Sequence, residues 1–141
     1  MSIQPFHLAI PVKDLESTRN FYGNILELKE GRSCDKWIDW NFFSHQLSTH
    51  LKPEEVTKNS VNDVDNHKVP VRHFGVVLSW NDWHKLSEKL QTKNIDFLIK
   101  PYIRFKGKTG EQATMFFLDP SNNALEFKAF KNISSLFATN N

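Results

Sequence analysis

Four side chains that can bind a metal ion occur in short strand-like runs of this sequence: His7, His50, His73 and Glu126. Successive side chains of a strand point to opposite faces, and in each run the apolar neighbours fall on one face and these polar groups on the other. Two imidazoles and a carboxylate suit Zn²⁺, Fe²⁺, Mn²⁺ or Ni²⁺. Three protein ligands leave positions open for a substrate, as catalysis requires. The pattern therefore predicts a metal site on one face of a sheet.

A second interpretation of the same residues stays open. A histidine beside an apolar run is more often a hydrogen-bonded structural residue than a metal ligand. Each of the histidines could lie on a solvated sheet face, and Glu126 could pair with Lys128 or Lys131, which would contribute little stability. Alternation alone does not decide between a metal site and a solvated polar face.

The order of predicted elements occurs twice along the chain. Residues 4–51 predict a strand, a helix that begins after a capping Asp14, and three further strands. Residues 71–130 predict the same order, with a strand over residues 73–80 followed directly by a helix. A sheet backed by a helix buries its apolar face and leaves the other face for polar groups. The sequence thus predicts an α+β fold of two βαβββ modules forming an open, curved sheet, or cup, with helices on the outer face.

The two predicted modules are joined by a polar, unpatterned segment, residues 52–70, and followed by a tail, residues 131–141. A loop of this length within a domain is usually functional or disordered. We predict one domain over residues 1–130, in which the loop is either a mobile cover over a site or a tolerated insertion.

Composition and charge exclude several classes of protein. The 141 residues include 18 basic and 16 acidic side chains, without a basic block that could follow a phosphate backbone, so nucleic acid is not an expected partner. The one cysteine, Cys34, excludes an internal disulfide and favours a reducing compartment. Because the chain has neither an export signal nor a long apolar segment, we expect a cytoplasmic protein without a membrane partner.

Aromatic residues are unusually frequent, with 12 Phe and 4 Trp. Such residues thicken a core or line an apolar pocket. The candidates for a substrate pocket are Trp37, Trp40, Phe42 and Phe116, although a core position is the more common role of each. Arg104 and Lys106 could bind an anionic substrate group, although solvated surface charge is the ordinary role of both.

Three segments carry a resemblance to a known family: FHLAIPVKDLESTRNFYGNIL at residues 6–26, HFGVVL at residues 73–78, and GEQATMFFLDPSNNALEFKAF at residues 110–130. They resemble the vicinal-oxygen-chelate superfamily, which includes glyoxalase I, fosfomycin-resistance thiol transferases, bleomycin-binding proteins and extradiol catechol dioxygenases. In the last segment Asn122 stands where the family's turn has Gly. Since Asn tolerates a left-handed backbone, we expect the turn to be kept.

The resemblance implies the ligands and the chemistry. By the resemblance, His7, His73 and Glu126 are the ligands of a divalent metal. The expected metal is Fe²⁺, and Mn²⁺, Ni²⁺ or Zn²⁺ are the alternatives. His50 stands where glyoxalase I has an additional carboxylate, so it is either a fourth ligand or a catalytic acid or base. The seventh strand offers Met115, Phe116 and Phe117 in place of the His and Tyr of the larger catechol enzymes.

The expected activity is that of an Fe(II) extradiol-type dioxygenase, an oxidoreductase acting on a small vicinal diol or catechol. Two alternatives stay open. One is a non-oxidative metal-dependent isomerase, lyase or thiol transferase, and the other is a small-molecule binding protein without catalysis. A homodimer is expected by analogy with the family.

Overall fold

Strands form most of the regular structure in the computed structural model, which describes residues 1–139. The chain divides into two units. Unit 1 comprises Met1–Asn59 and Asp119–Asn123, and unit 2 comprises Ser60–Leu118 and the chain from Ala124 onward. Each unit contains an open sheet and few helical residues. The predicted α+β class with open sheets is therefore confirmed.

The sheet of unit 1 has the strand order β1-β4-β3-β2. Its strands are β1 (His7–Val12), β2 (Lys29–Ser33), β3 (Trp37–Phe42) and β4 (His45–Leu51). The pairing of β1 with β4 is parallel, whereas β4 with β3 and β3 with β2 are antiparallel. A helix, α1 (Leu15–Thr18), continues into a π-helical segment, Arg19–Ile25, between β1 and β2. The strand, helix and three strands predicted for this half are all present.

Helix α1 begins where the sequence places its cap. Asp14 has an extended backbone, and its Oδ1 accepts a hydrogen bond from the Ser17 backbone N–H at 2.6 Å. Its Oδ2 accepts a second hydrogen bond, from the Ser17 hydroxyl, at 2.7 Å. These bonds satisfy a donor of the first helical turn that would otherwise lack a partner.

We expect Asp14→Ala to lower the free energy of unfolding by about 1 kcal/mol, because the cap is lost. The Ser17 N–H holds the pKa of Asp14 below its ordinary value of 3.8, so the stabilisation is present above that value and lost as the pH falls below it. Urea unfolding of both proteins at about pH 7 and about pH 3 measures the difference. Asp14→Ser, which keeps an acceptor, is the control. An equal loss at both pH values would contradict the role of the carboxylate.

The Asp119 turn folds together with unit 1. The buried Tyr22 hydroxyl donates to Asp119 Oδ2 at 2.8 Å, and Asp119 Oδ1 accepts the backbone N–H groups of Ser121 and Asn123. Burial raises the pKa of Asp119, and these donors oppose that rise. Asn122 has the left-handed backbone expected of it, with φ of 63°.

The segment predicted to be an unpatterned loop contains a β-hairpin that belongs to unit 2. Strands β5 (Val61–Val64) and β6 (His67–Pro70) pair antiparallel around Asp65 and Asn66. Both turn residues have positive φ, 49° and 63°, as a tight two-residue hairpin requires. The description of residues 52–70 as unpatterned was therefore wrong, because Asp and Asn are residues that favour turns and here join two paired strands.

The larger sheet of unit 2 has the order β7-β11-β10-β9, and β8 also pairs with β11. Its strands are β7 (His73–Phe74), β8 (Val77–Leu78), β9 (Phe97–Arg104), β10 (Gln112–Leu118) and β11 (Ala124–Phe130). The strand predicted over residues 73–80 is interrupted after Phe74, and Trp80 already belongs to the helix α2 (Trp80–Gln91). After β11 the tail forms a short 3₁₀ turn, Ile133–Phe137.

Helix α2 covers one face of this sheet. Ser79 caps it by accepting the Asp82 N–H, and the Trp83 indole N–H donates to the Phe127 carbonyl at 2.8 Å. The sheet residues buried on this face are Ala113, Met115, Phe117, Leu125, Phe127 and Ala129. The residues that alternate with them along β10 and β11, including Thr114 and Glu126, therefore lie on the opposite face of the sheet. None of the helices within residues 1–139 has the length and apolar character of a membrane-spanning segment.

Candidate metal centre

His73, the first residue of β7, has a fixed ring orientation. Its Nδ1 lies 2.6 Å from the carbonyl oxygen of Pro70, at the end of β6. Because a carbonyl only accepts, Nδ1 carries the proton of this contact, and in the neutral ring Nε2 then presents its lone pair. A hydrogen bond from the remote nitrogen to a backbone carbonyl is how metal-binding histidines are commonly oriented.

Glu126 of β11 faces the same nitrogen. Its Oε2 lies 3.2 Å from His73 Nε2, while its Oε1 accepts a hydrogen bond from the Thr114 hydroxyl at 2.8 Å. A carboxylate oxygen and a neutral imidazole nitrogen are both acceptors, so at this separation they require a positive charge between them. Either a second proton on the ring or a metal cation meets this requirement. The pair is therefore compatible with a divalent cation and with an ion pair of a protonated His73.

A cavity of about 250 Å³ opens beside the pair. It is lined by His73, Phe74, Gly75, Val76, Val77, Glu126 and Lys128. The Lys128 ammonium lies 4.0 Å from Glu126 Oε1, and the ring of Phe116 meets that of His73 at a centroid distance of 5.0 Å, edge to face. The cavity thus has an apolar wall on one side and a cationic side chain next to the carboxylate.

Gly75 determines how close β7 and β11 can approach. The register of Leu125 with Phe74 and of Lys128 with Val77 places Gly75 opposite Glu126. A Cβ atom on Gly75 would lie 1.6 Å from the Glu126 carbonyl oxygen, which is an impossible contact. Only glycine allows this approach.

In unit 1 the register shows which position is equivalent to Glu126. His7 is exposed on β1 and pairs with Gln46, whereas His50 pairs with Pro11. In unit 2 His73 pairs with Ala124, and Glu126 lies two residues further along β11. In unit 1 His7 pairs with Gln46, so the equivalent position, two residues further along β4, is Ser48. His50 lies four residues beyond Gln46, about 13 Å along the strand. His50 therefore does not occupy the position that corresponds to Glu126.

A carboxylate that the sequence analysis did not select lies on this face of unit 1. Asp39 is the register partner of Ser48, whose hydroxyl donates to Asp39 Oδ1 at 2.5 Å. The Gln46 side-chain amide donates to the other oxygen at 3.3 Å. The alternation of β3 places Asp39 on the polar face, but only the strand register identifies its neighbours.

The aromatic candidates for the pocket separate into core and site. Trp40 and Phe42 are 2% and 4% exposed, and they alternate with Asp39 on the apolar face of β3. The Trp40 indole donates to Thr49, and its ring packs against Tyr22. Both pack in the core of unit 1, where Trp40 also lines a cavity of about 390 Å³, and their assignment to a substrate pocket stays a prediction. Phe116 is also buried, but it contacts His73.

Several residues of the site in unit 2 were not predicted. Thr114 holds the carboxylate, and Gly75 lets the strands approach. Lys128, by contrast, lies beside Glu126 as one of its two expected partners. An isolated Gly within an apolar strand pattern is a recognised signal of close backbone approach, and it could have identified Gly75. Within either unit, the residues that the structure describes contain no group of three His, Cys, Asp or Glu side chains placed to share an ion. His73 and Glu126 belong to unit 2, and His7 belongs to unit 1.

The fold and the histidine–carboxylate pair define a class of protein, in which βαβββ units present polar groups on the uncovered faces of open sheets. The chain belongs to the Glyoxalase/Bleomycin resistance protein/Dioxygenase superfamily, since the sequence model of that family matches residues 4–127. No curated protein matches the chain at a significant level.

Solved structures agree with this assignment. A glyoxalase/bleomycin resistance protein/dioxygenase from Alicyclobacillus acidocaldarius is 32% identical, with a TM-score of 0.76 and 95% and 96% of the two chains covered. A fosfomycin resistance protein, FosX, from Listeria monocytogenes is 18% identical, with a TM-score of 0.69 and coverage of 96% and 98%. A lactoylglutathione lyase from Agrobacterium tumefaciens is 14% identical, with a TM-score of 0.61 and coverage of 92% and 95%. The last two show similarity of fold.

Proposed function

We propose that this chain is a metal-dependent enzyme acting on a small molecule, with His7, His73 and Glu126 as the protein ligands of a divalent cation. The observation that carries the proposal is the pair of acceptors, His73 Nε2 and Glu126 Oε2, held 3.2 Å apart. Each is oriented through its other polar atom, by Pro70 and Thr114 respectively. A solvated polar face has no need for such orientation of both groups.

The cation would act as a Lewis acid that binds two neighbouring substrate oxygens and lowers their proton affinity. The chain's own residues would set the geometry around it. The Pro70 carbonyl keeps the proton of His73 on Nδ1, and the Thr114 hydroxyl occupies Glu126 Oε1 and leaves Oε2 available. Phe116 and the strand residues of the cavity would exclude water and position an apolar part of the substrate.

As the specific reaction we propose that of an Fe(II) extradiol-type dioxygenase acting on a small vicinal diol or catechol. Two histidines and one carboxylate are the ligand set of non-haem Fe(II) oxygenases. A non-oxidative isomerase, lyase or thiol transferase is the second candidate, favoured by the fold similarity to FosX and to a lactoylglutathione lyase. The catalytic role of His50 and the homodimer stay predictions.

Metal analysis tests the proposal most directly. Protein purified without chelator or affinity tag is expected to contain a divalent metal near one equivalent per chain, and His7→Ala to lose most of it, because a ligand is removed. Elemental analysis measures both. No binding by either protein after anaerobic incubation with Fe²⁺, Mn²⁺, Ni²⁺ and Zn²⁺ would refute the enzyme. Oxygen consumption with a panel of catechols then separates the dioxygenase from the non-oxidative candidate.

A further inference from the structure

Two polar side chains of β9 share the sheet face of Glu126. Tyr102 pairs with Thr114, and Arg104 pairs with Gln112, so both lie on the face opposite α2. Tyr102 is two strands from Glu126 and one side-chain row along, which places their Cα atoms about 12 Å apart. A small molecule bound near Glu126 could therefore extend toward Tyr102 and Arg104.

Arg104 has a guanidinium group that is only partly used. Its Nε lies 2.5 Å from Asp65 Oδ2, but the N–H does not point at that oxygen, so the contact is an ion pair without an aligned hydrogen bond. Over residues 1–139, its terminal Nη1 and Nη2 groups make no hydrogen bond, and its side chain is 21% exposed. These two groups form the fork that binds a carboxylate through two parallel hydrogen bonds.

Asp65 reaches Arg104 from the tip of the β5–β6 hairpin. The same Oδ2 atom lies 3.5 Å from the Tyr102 hydroxyl, and the His67 ring packs on the Tyr102 ring at 5.4 Å. The Tyr102 hydroxyl is a donor near neutral pH, as an ordinary Tyr hydroxyl is, and burial raises its pKa further. The Asp65 side chain is 43% exposed, so a ligand can reach and compete with this carboxylate, whereas Arg104 Nε is buried.

We propose that Tyr102 and Arg104 form a binding site for a carboxylate group of the substrate, and that Asp65 occupies this site in the free protein. The group already seated there is itself a carboxylate, held by a cation and near a hydroxyl donor. The substrate is then a small carboxylic acid that also carries the two neighbouring oxygens. The two neighbouring oxygens rest on the proposed function, whereas the carboxylate site does not depend on it.

The hairpin also connects this site with His73. Its tip contacts Tyr102 and Arg104 through Asp65, and its last residue, Pro70, accepts the hydrogen bond that orients His73. Displacement of Asp65 by the substrate would release the tip while the base stays attached to His73.

Binding of benzoate to the metal-free protein, followed by NMR titration, tests the site. Asp65→Asn is expected to bind benzoate about 1.4- to 5-fold more tightly, because a competing exposed ion pair is removed. Arg104→Gln is expected to weaken binding at least about tenfold. Asn suits the positive φ of residue 65, so the first variant should fold normally. Benzamide, which has the shape of benzoate without its charge, should bind no better to Asp65→Asn than to the wild type.

The matched control is Glu30→Gln, which removes the carboxylate of the exposed Arg19–Glu30 ion pair in unit 1 and should leave benzoate binding unchanged. Equal affinity of Asp65→Asn and wild type, or full binding by Arg104→Gln, would overturn the proposal. Zn²⁺ titration of the same variants keeps the two proposals separate. A wild-type protein that binds benzoate but no metal refutes the enzyme and not the carboxylate site, and one that binds metal but no benzoate refutes only the site.

Discussion

Glu126→Gln is expected to lower the affinity of the protein for Zn²⁺ and Mn²⁺ by at least about 100-fold. Loss of a residue that only hydrogen-bonds to a metal ligand lowers metal affinity by up to about 100-fold, and loss of a ligand should cost at least as much. Gln keeps the length of Glu and an oxygen that can accept from Thr114, so the sheet should be little disturbed. It removes the negative charge that faces His73 Nε2 at 3.2 Å. Competition with a chromophoric chelator measures the affinity.

Lys128→Gln provides a control of opposite sign. Its ammonium lies 4.0 Å from Glu126 Oε1 and repels a cation bound there, so its removal should leave metal affinity unchanged or raise it slightly. A general loss of folding would lower metal binding in both variants. If Glu126→Gln binds metal as well as wild type, the carboxylate is not a ligand, and the His73–Glu126 contact is a structural ion pair.

Gly75→Ala is expected to destabilise the protein by more than the roughly 1–3 kcal/mol typical of overpacking a core. The new Cβ would lie 1.6 Å from the Glu126 carbonyl oxygen and 2.7 Å from its carbon, and backbone atoms cannot rotate away as a side-chain end can. Strands β7 and β8 would have to move from β11. The same movement would separate His73 from Glu126, so metal affinity should fall together with stability. Urea unfolding and metal titration measure the two effects.

Gly31→Ala is the matched control for this substitution. Gly31 also lies in a strand, but its nearest contacts to a new Cβ, from Asp39, are at 3.5 Å, an ordinary van der Waals distance. It should change the free energy of unfolding by no more than about 0.5 kcal/mol in either direction. A Gly75→Ala protein as stable as Gly31→Ala would show that β7 and β11 can separate without cost.

The elements of both halves could be predicted from local patterns. Alternation of apolar and polar residues located the strands of both sheets, and Asp14 was recognised as a helix cap from residue type and position. The same alternation correctly placed Glu126 on the face opposite the helix in unit 2. These features depend on neighbours within a few residues, which the sequence displays directly.

Strand register could not be predicted in this way. Alternation placed His50 on the correct face, yet the pairing of β1 with β4 puts Ser48, not His50, at the position equivalent to Glu126. A shift of two residues preserves every face and every apolar pattern, so no local signal opposes it. Residue type also could not show that Trp40 and Phe42 pack in the core of unit 1, since aromatic residues occur in cores and in pockets.

By itself, the sequence determined the α+β class, the repeated order of elements, the family and the faces on which the polar side chains of unit 2 lie. Only the tertiary structure decided which atoms meet: Pro70 with His73, Thr114 with Glu126, and Asp65 with Arg104. Each of these contacts joins residues of different strands or turns, which the strand pairing and the turn geometry bring together. The free energy that selects one strand pairing over another comes from the whole sheet. Residue type alone therefore identifies candidates for a site, and the register selects among them.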